Sequence, residues 1–330
     1  MNIVLSLLAV IILLLLAFIG VDVVGWQYFF GVIMPMATIV IFIIGMVYRV
    51  IKWARSPVPF RITTTCGQQK SLPWFKANNL ENPYNIWGVL GRMFLEVFFF
   101  RSLFRNTKVA LKEGPRLVYG STKWLWLGGL VFHWSFLIVF IRHFKFFAEP
   151  VPAWVLALQN LDGFFQIGLP IIYATDIALL AALTFLFLRR VVDPKLRYIS
   201  LAADYFPLFL IMSIAVTGVL MRYFIKVDII SVKQMAMGWL SLSPVVPEGI
   251  SSLFFMHLFL VCCLFIYFPF SKLLHMAGIF VSPTRNLANN NRAKRHVNPW
   301  DYPVKLHTYQ EYEDEFREVM KAADMPLEKE

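Results

Sequence analysis

The sequence predicts an all-α integral membrane protein with six transmembrane helices, and three observations carry that prediction. Apolar residues make up 58% of the 330-residue chain and charged residues only 15%, a balance that suits lipid better than water. Six apolar runs are each long enough to cross a hydrocarbon core about 30 Å thick at about 1.5 Å rise per residue. Basic residues crowd alternate loops, as the positive-inside rule requires. The formal charge of +11 therefore does not point to nucleic acid, because the cations lie in loops and tail and not on one aromatic-interleaved face.

Residues 3–21 form the first run. No Lys or Arg precedes Arg49, so it lacks the positive start of a cleaved signal and reads as a retained helix. Residues 28–50 are the second, with Pro35 in the first turns. The others are 124–145, 165–188, 205–225 and 252–275. Six spans put both termini on one side. The loops after spans two, four and six hold Arg49, Lys52, Arg55 and Arg61, then Arg189, Arg190, Lys195 and Arg197, then Lys272, Arg285, Arg292, Lys294 and Arg295. The opposite loops hold Asp22, then Lys145, Glu149 and Asp162, then Lys226, Asp228, Lys233 and Glu248. Both termini are thus expected in the cytoplasm, and the chain in the inner (cytoplasmic) membrane.

The chain divides into two N-terminal transmembrane helices (1–50), a long cytoplasmic loop (51–123), a four-helix core (124–275) and a cytoplasmic C-terminal tail (276–330). Within the loop, residues 86–100 are strongly apolar but too short to span, and fit an interfacial or re-entrant helix. Arg92 and Glu96 lie four apart on one face of it. Thr308 followed by Glu311 is a capping box opening a charged helix to about residue 323. Cys66, Cys262 and Cys263 make neither a CxxC motif nor a disulfide framework. The vicinal pair reads as small buried apolar residues.

Four of the six histidines lie on two spans. His133 and His143 are ten residues apart, and His257 and His275 eighteen. On straight helices these intervals rise about 15 and 27 Å, and the second returns both imidazoles to the same face after five turns. Ionisable groups at membrane depth are costly and mark functional sites. A lone histidine in a span is often a hydrogen-bonded core residue. Two pairs in antiparallel order are the constellation for two stacked haems instead. His143 and His257 would hold the outer iron, and His133 and His275 the inner. Helix tilt must absorb the unequal intervals. Two histidines per iron leave no open position, which favours electron transfer over oxygen chemistry. Haem propionates want cations: Arg142 and Lys145 are candidates for the outer pair, and Arg189, Arg190, Arg197 and Lys272 for the inner. Each could equally be a snorkelling residue at a span end. His296 and His307 read as surface residues. A proton-coupled transporter and a haem-free membrane anchor are the rival classes.

Residues 132–144 (FHWSFLIVFIRHF) and 257–276 (HLFLVCCLFIYFPFSKLLHM) resemble the two haem-bearing helices of the respiratory nitrate reductase gamma-subunit family of cytochromes b. The histidine intervals match, as does the FPFSKLLH ending. Residues 188–206 resemble that family's loop between the intervening helices. The resemblance covers about residues 120–286. It implies two b-type haems, quinol oxidation, and His133, His143, His257 and His275 as axial ligands. The extra N-terminal span, the long loop and the tail are more similar to the DsrM-type cytochromes b of sulfite-reduction-associated DsrMKJOP complexes, with membrane heterodisulfide reductases as near neighbours. Those imply menaquinol as substrate, sulfur respiration as context, and a cytoplasmic iron–sulfur partner of heterodisulfide-reductase type (DsrK-like), among other DsrMKJOP-type subunits. The lysine that the nitrate reductase family places near the outer haem for quinol has no counterpart. Asp162 and Gln166 stand in that region, with His143 nearby, and Asp176 lies deeper in span four. These are the quinone-site candidates. For Asp176, a carboxylate bonded within the bundle is the alternative.

Overall fold

The computed structural model describes residues 1–57, 67–166, 170–289 and 306–329. Arg61, Cys66, Arg292, Lys294, Arg295 and His296, named above, lie outside them. Helix α1 (Asn2–Phe18) continues as a π turn to Val23, and a second π turn leads into α2 (Met34–Ala54). Helices α5 (Lys123–Arg142), α9 (Ala202–Val219) and α11 (Ser252–Tyr267) follow the expected third, fifth and sixth runs. With their terminal turns, these five segments are long and apolar enough to cross a membrane. The protein is a mostly helical, multi-pass membrane protein.

The fourth run departs from expectation. Residues 163–165 and 172–173 pair as short antiparallel strands, β3 and β4, so α7 (Ala174–Val192) starts at 174 and not at 165. Asp176, Arg189 and Arg190 lie on this 19-residue helix, and it is not among the five apolar segments. It nevertheless runs the length of the bundle between α5 and α9. At one end Tyr223 Oη, just past α9, donates to Asp176 Oδ2 at 2.8 Å. At the other end Arg190 Nη1 donates to Ser200 Oγ, just before α9, at 3.0 Å.

The sixth run is broken. Pro269 lacks an N–H and its ring obstructs the preceding turn, so α11 gives way to a 3-10 turn at Phe268–Phe270. Ser271 Oγ then accepts from Leu273 N at 3.2 Å, and the chain restarts through a 3-10 turn into α12 (His275–Val281). One continuous helix from 252 to 275, with both imidazoles on one face, is therefore wrong. Gly45 of α2 sits against the break: a Cβ there would stand 2.8 Å from Pro269 Cβ. Gly45→Ala is expected to cost about 1–3 kcal/mol by overpacking, read as a lower thermal midpoint in detergent. An unchanged midpoint would show that the turn can yield.

Packing without a hydrophobic drive relies on shape. Val10, Leu179, Leu183, Leu210, Ile211, Leu260 and Leu264 fill one buried cluster between α1, α7, α9 and α11. Ala17, Phe30, Met235, Phe255 and Phe259 belong to a second. Cys262 is buried, Cys263 half-buried, and both are free thiols, as the packing reading expects. The N-terminal end of α1 is tied to the start of α9, where Ser6 Oγ donates to Ala202 O at 2.9 Å.

The segment between α2 and α5 has its own structure. Helix α3 (Ile86–Phe99) occupies the short apolar run, capped by Asn85 Oδ1 accepting from Gly88 N at 2.9 Å. Trp126 Nε1 and Trp134 Nε1 of α5 donate to Phe99 O and Phe98 O at 2.7 and 3.1 Å, so the C-terminal end of α3 is tied to α5. Glu96 accepts from Ser102 N at 3.1 Å and faces Arg285 at 4.0 Å. After α4 (Arg101–Arg105), strands β1 (Thr107–Lys112) and β2 (Arg116–Ser121) form a hairpin that the sequence reading missed. Helix α8 (Pro194–Ile199) joins α7 to α9. Helices α6 (Ala153–Asp162) and α10 (Ile229–Leu240) sit in connections also read as loops. Past α12, α13 (Pro283–Asn286) packs on α3, and Asn289 N donates to Pro83 O at 2.6 Å. Helix α14 (Tyr309–Ala322) opens on the expected capping box, Thr308 Oγ1 accepting from Glu311 N at 3.2 Å.

Candidate functional site

The four span histidines meet in the expected antiparallel pairs. The His133 and His275 ring centres are 5.9 Å apart, with planes 82° to one another. Those of His143 and His257 are 6.5 Å apart and within 10° of parallel. In each ring Nδ1 is engaged: His133 with Gly129 O at 2.7 Å, His143 with Val139 O at 2.7 Å, and His275 with Lys272 O at 2.9 Å. A carbonyl can only accept, so these three carry a proton on Nδ1, and in the neutral ring the lone pair is then on Nε2. His257 Nδ1 lies 2.9 Å from Thr217 Oγ1. That hydroxyl already donates to Ser213 O at 2.7 Å, so it accepts from His257 and fixes the same tautomer. Gly218 lies beside this ring; a Cβ there would stand 3.4 Å from His257 Cε1, an ordinary contact.

With metal–nitrogen bonds of about 2 Å and about 1 Å from ring nitrogen to ring centre, two axial imidazoles on one metal have centres about 6 Å apart. Both pairs fit that requirement. Neutral rings with Nδ1 held by a fixed acceptor are also the donor set that metal ligation uses. Among the described residues no cluster of three or more His, Cys, Asp or Glu could hold a metal; the four histidines meet as two pairs.

A cavity of about 620 Å³ adjoins the His143–His257 pair, lined mostly by apolar side chains such as Phe136, Phe140, Leu179, Ile211 and Phe254. Arg142, Lys145, Asp176, Arg222 and Lys226 also line it. Arg142 is buried and its guanidinium is divided between two carboxylates: Nη1 is 3.2 Å from Asp162 Oδ2, and Nη2 bonds Asp176 Oδ1. Asp162 is closed off further by Thr175, whose N and Oγ1 donate at 2.9 and 2.6 Å. Asp176 also accepts from Tyr223 Oη, which in turn accepts from Tyr173 N at 3.1 Å. The Tyr173 ring is sandwiched, with Arg142 Cζ at 3.9 Å and Arg222 Cζ at 4.3 Å from its centre.

The structure thus brings Asp162 and Asp176 together on Arg142, and places Lys145 on the cavity. Gln166 is exposed and does not line it. At the other pair, Lys272 presents its carbonyl to His275 and its ammonium to Asp204 Oδ1 at 2.7 Å. Arg190 lies 3.9 Å from Asp204. Arg189 lines a separate cavity of about 350 Å³ with Lys108, Trp124, Phe185 and Asp193, and Arg197 is exposed on α8. Thr217, Tyr173, Arg222 and Tyr223 went unnoticed in sequence, and Lys226 was counted only as a loop charge. For the last four, the signal was available: a cluster of cations and tyrosines where a span ends opposite another pair of charged groups.

The sequence profile of the family described as nitrate reductase gamma subunit matches residues 85–293, which takes in all four histidines and α3. An Archaeoglobus fulgidus protein named Hdr-like menaquinol oxidoreductase cytochrome b-like subunit is 45% identical over 279 residues, covering 82% of this chain and 83% of its own length. The Archaeoglobus profundus protein of the same name is 42% identical over 275 residues, 81% of each chain. With the histidine-bearing helices inside the matched region, and relatives aligned over most of their length, the chain belongs to the nitrate reductase gamma subunit family of membrane cytochromes b.

Proposed function

We propose that the chain is the dihaem cytochrome b subunit of a membrane oxidoreductase that oxidises menaquinol and passes electrons to a cytoplasmic iron–sulfur subunit. The observation that carries this is the pairing of four imidazoles, each with Nδ1 engaged, at 5.9 and 6.5 Å across two antiparallel segments. Six helices, α1, α2, α5, α7, α9 and α11, cross the inner membrane in this reading, with both termini cytoplasmic. His143 and His257 hold the outer haem b, and His133 and His275 the inner. Each haem, when bound between two histidines, supplies a one-electron carrier with no open coordination position. Menaquinol and a heterodisulfide-reductase-type partner are supported by what the Archaeoglobus relatives are named for. A DsrK-like partner, a DsrMKJOP-type complex and a place in dissimilatory sulfur metabolism rest on the extra span, loop and tail.

The chain's own residues perform four tasks. Backbone carbonyls and Thr217 orient the imidazoles. Apolar lining keeps water from the cavity beside His143 and His257. Asp162 is consumed by Thr175 and Arg142, and serves as a brace. Asp176, unlike Asp162, lines the cavity; with Arg142 on Oδ1 and Tyr223 on Oδ2, it is the carboxylate assigned to take a proton from a quinol hydroxyl.

Adding menaquinol to the purified oxidised complex tests this, with reduction of the b-type absorbance bands expected; no haem absorbance change would remove the mechanism. Asp176→Asn is expected to slow that reduction at least about tenfold, in the range of a lost general base, with haem content unchanged. Thr217→Val removes the acceptor for His257 Nδ1. Loss of such an outer partner weakens metal binding about 10–100-fold, so more haem should be lost to apomyoglobin from this variant; wild-type retention would contradict the role given to Thr217.

A further inference from the structure

The cavity beside His143 and His257 has an excess of positive charge that the chain itself does not cancel. Four cations line it, Arg142, Lys145, Arg222 and Lys226, against the single carboxylate of Asp176. Arg142 has its two terminal nitrogens on Asp162 and Asp176. Among the described residues, none of Arg222, Lys145 and Lys226 has a carboxylate at ion-pair distance. Arg222 makes one bond, Nη2 to Ile171 O at 3.3 Å, and its buried Nε has no hydrogen-bond partner. The Tyr173 ring centre lies 4.3 Å from its Cζ. A guanidinium does not shed its proton, and a cation kept in an apolar cavity without a counter-ion is costly. Lys226 is exposed, but Arg222 and Lys145 are half-buried, so their counter-ion must come with what fills the cavity.

We propose that Arg222, with Lys145 and Lys226, forms an anion clamp that takes the carboxylates of the ligand seated between His143 and His257, and that Arg142 is not part of it. On the dihaem reading, which this inference deepens and on which it rests, those carboxylates are the propionates of the outer porphyrin. Arg142 then belongs to the protein's internal scaffold, and the sequence-based expectation that it serves the propionates passes to Arg222. Tyr173 acts as the spacer that holds the neutralised guanidinium on one face and the unneutralised one on the other.

The test is an optical redox titration of the full complex carrying Arg222→Gln or Arg222→Lys, with the outer haem identified as the one missing from His143→Ala. Removing a cation from a propionate makes the iron harder to reduce. Arg222→Gln is expected to lower the reduction equilibrium of the outer haem about tenfold, about 59 mV for one electron, while the inner haem stays put. Arg222→Lys is expected to retain most of the wild-type potential. If Arg222→Gln loses the outer haem altogether, retention by Arg222→Lys supports the clamp, and loss by both overturns it in favour of simple packing on Tyr173. Two haems in the wild type with an unshifted Arg222→Gln protein would overturn the clamp and leave the dihaem reading standing; a wild type without haem would overturn both. The titrations are repeated in phosphatidylcholine vesicles with and without phosphatidylglycerol. A shift confined to the anionic vesicles would assign the anion to a lipid headgroup and overturn the proposal.

Discussion

Replacing His143 or His257 with alanine is expected to halve the haem content of the chain and to remove the same haem in both variants. His133→Ala and His275→Ala are expected to remove the other one. The reason is geometric: the ring centres fall into two pairs at 5.9 and 6.5 Å, so in the proposed arrangement each iron would depend on one residue from α5 or its terminal turn and one from the α11–α12 segment. All four variants are expected to lose electron flow from quinol to the cytoplasmic acceptor, because either carrier is indispensable to the path. They are expected to differ in partial reduction. With the inner site lost, quinol still reduces the outer haem; with the outer site lost, it reduces neither. Spectra recorded with and without the iron–sulfur partner separate the cases. A pairing by helix, in which His133→Ala and His143→Ala remove the same haem, would contradict the arrangement.

The second large effect is expected at Arg142. Its side chain is 8% exposed, and the carboxylates it joins are 3% and 14% exposed. Removing one member of a buried charge network leaves the others uncompensated, and such losses run to about 3–5 kcal/mol. Arg142→Gln is therefore expected to lower the thermal midpoint sharply and to loosen the α5–α7 contact beside His143. Replacing all three charged groups by amides (Arg142→Gln with Asp162→Asn and Asp176→Asn) is expected to restore much of that loss, since no bare charge remains. A single variant as stable as wild type would mean that water reaches the network and screens it.

Much of this arrangement is legible in the sequence because its signals are local. Apolar run lengths mark five of the helices to within a few residues, and the histidine intervals with antiparallel spans lead to the correct partners. Thr308 and Glu311 announce α14 through short-range hydrogen bonds that any sequence reader can count. The break at Pro269 was legible too, since a proline inside an apolar run interrupts the hydrogen-bond ladder. Counting 100° per residue straight through it produced the unequal rises that tilt then had to explain. The hairpin at 107–121 carried its own signals, alternation around Gly114, whose φ of 80° suits glycine, but the surrounding loop obscured them.

What sequence could not supply is contact at a distance. Arg142 reaches Asp176 across 34 positions and Asp162 through a turn built by β3 and β4, and nothing in the spacing of those residues foretells one cation shared by two carboxylates. Arg222 reads as an ordinary snorkelling residue at the end of a span until Tyr173 is seen between it and Arg142. The start of α7 at 174 was missed because apolar character continues through residues that pair as strands, where periodicity has too few residues to distinguish the two.

In the proposed arrangement each chain carries two haem b groups, one per histidine pair. A pyridine hemochrome assay on the isolated subunit, set against its protein concentration, measures this most directly. Two protohaems per chain is the predicted result. A ratio of one or zero, in protein purified intact and folded, would contradict it.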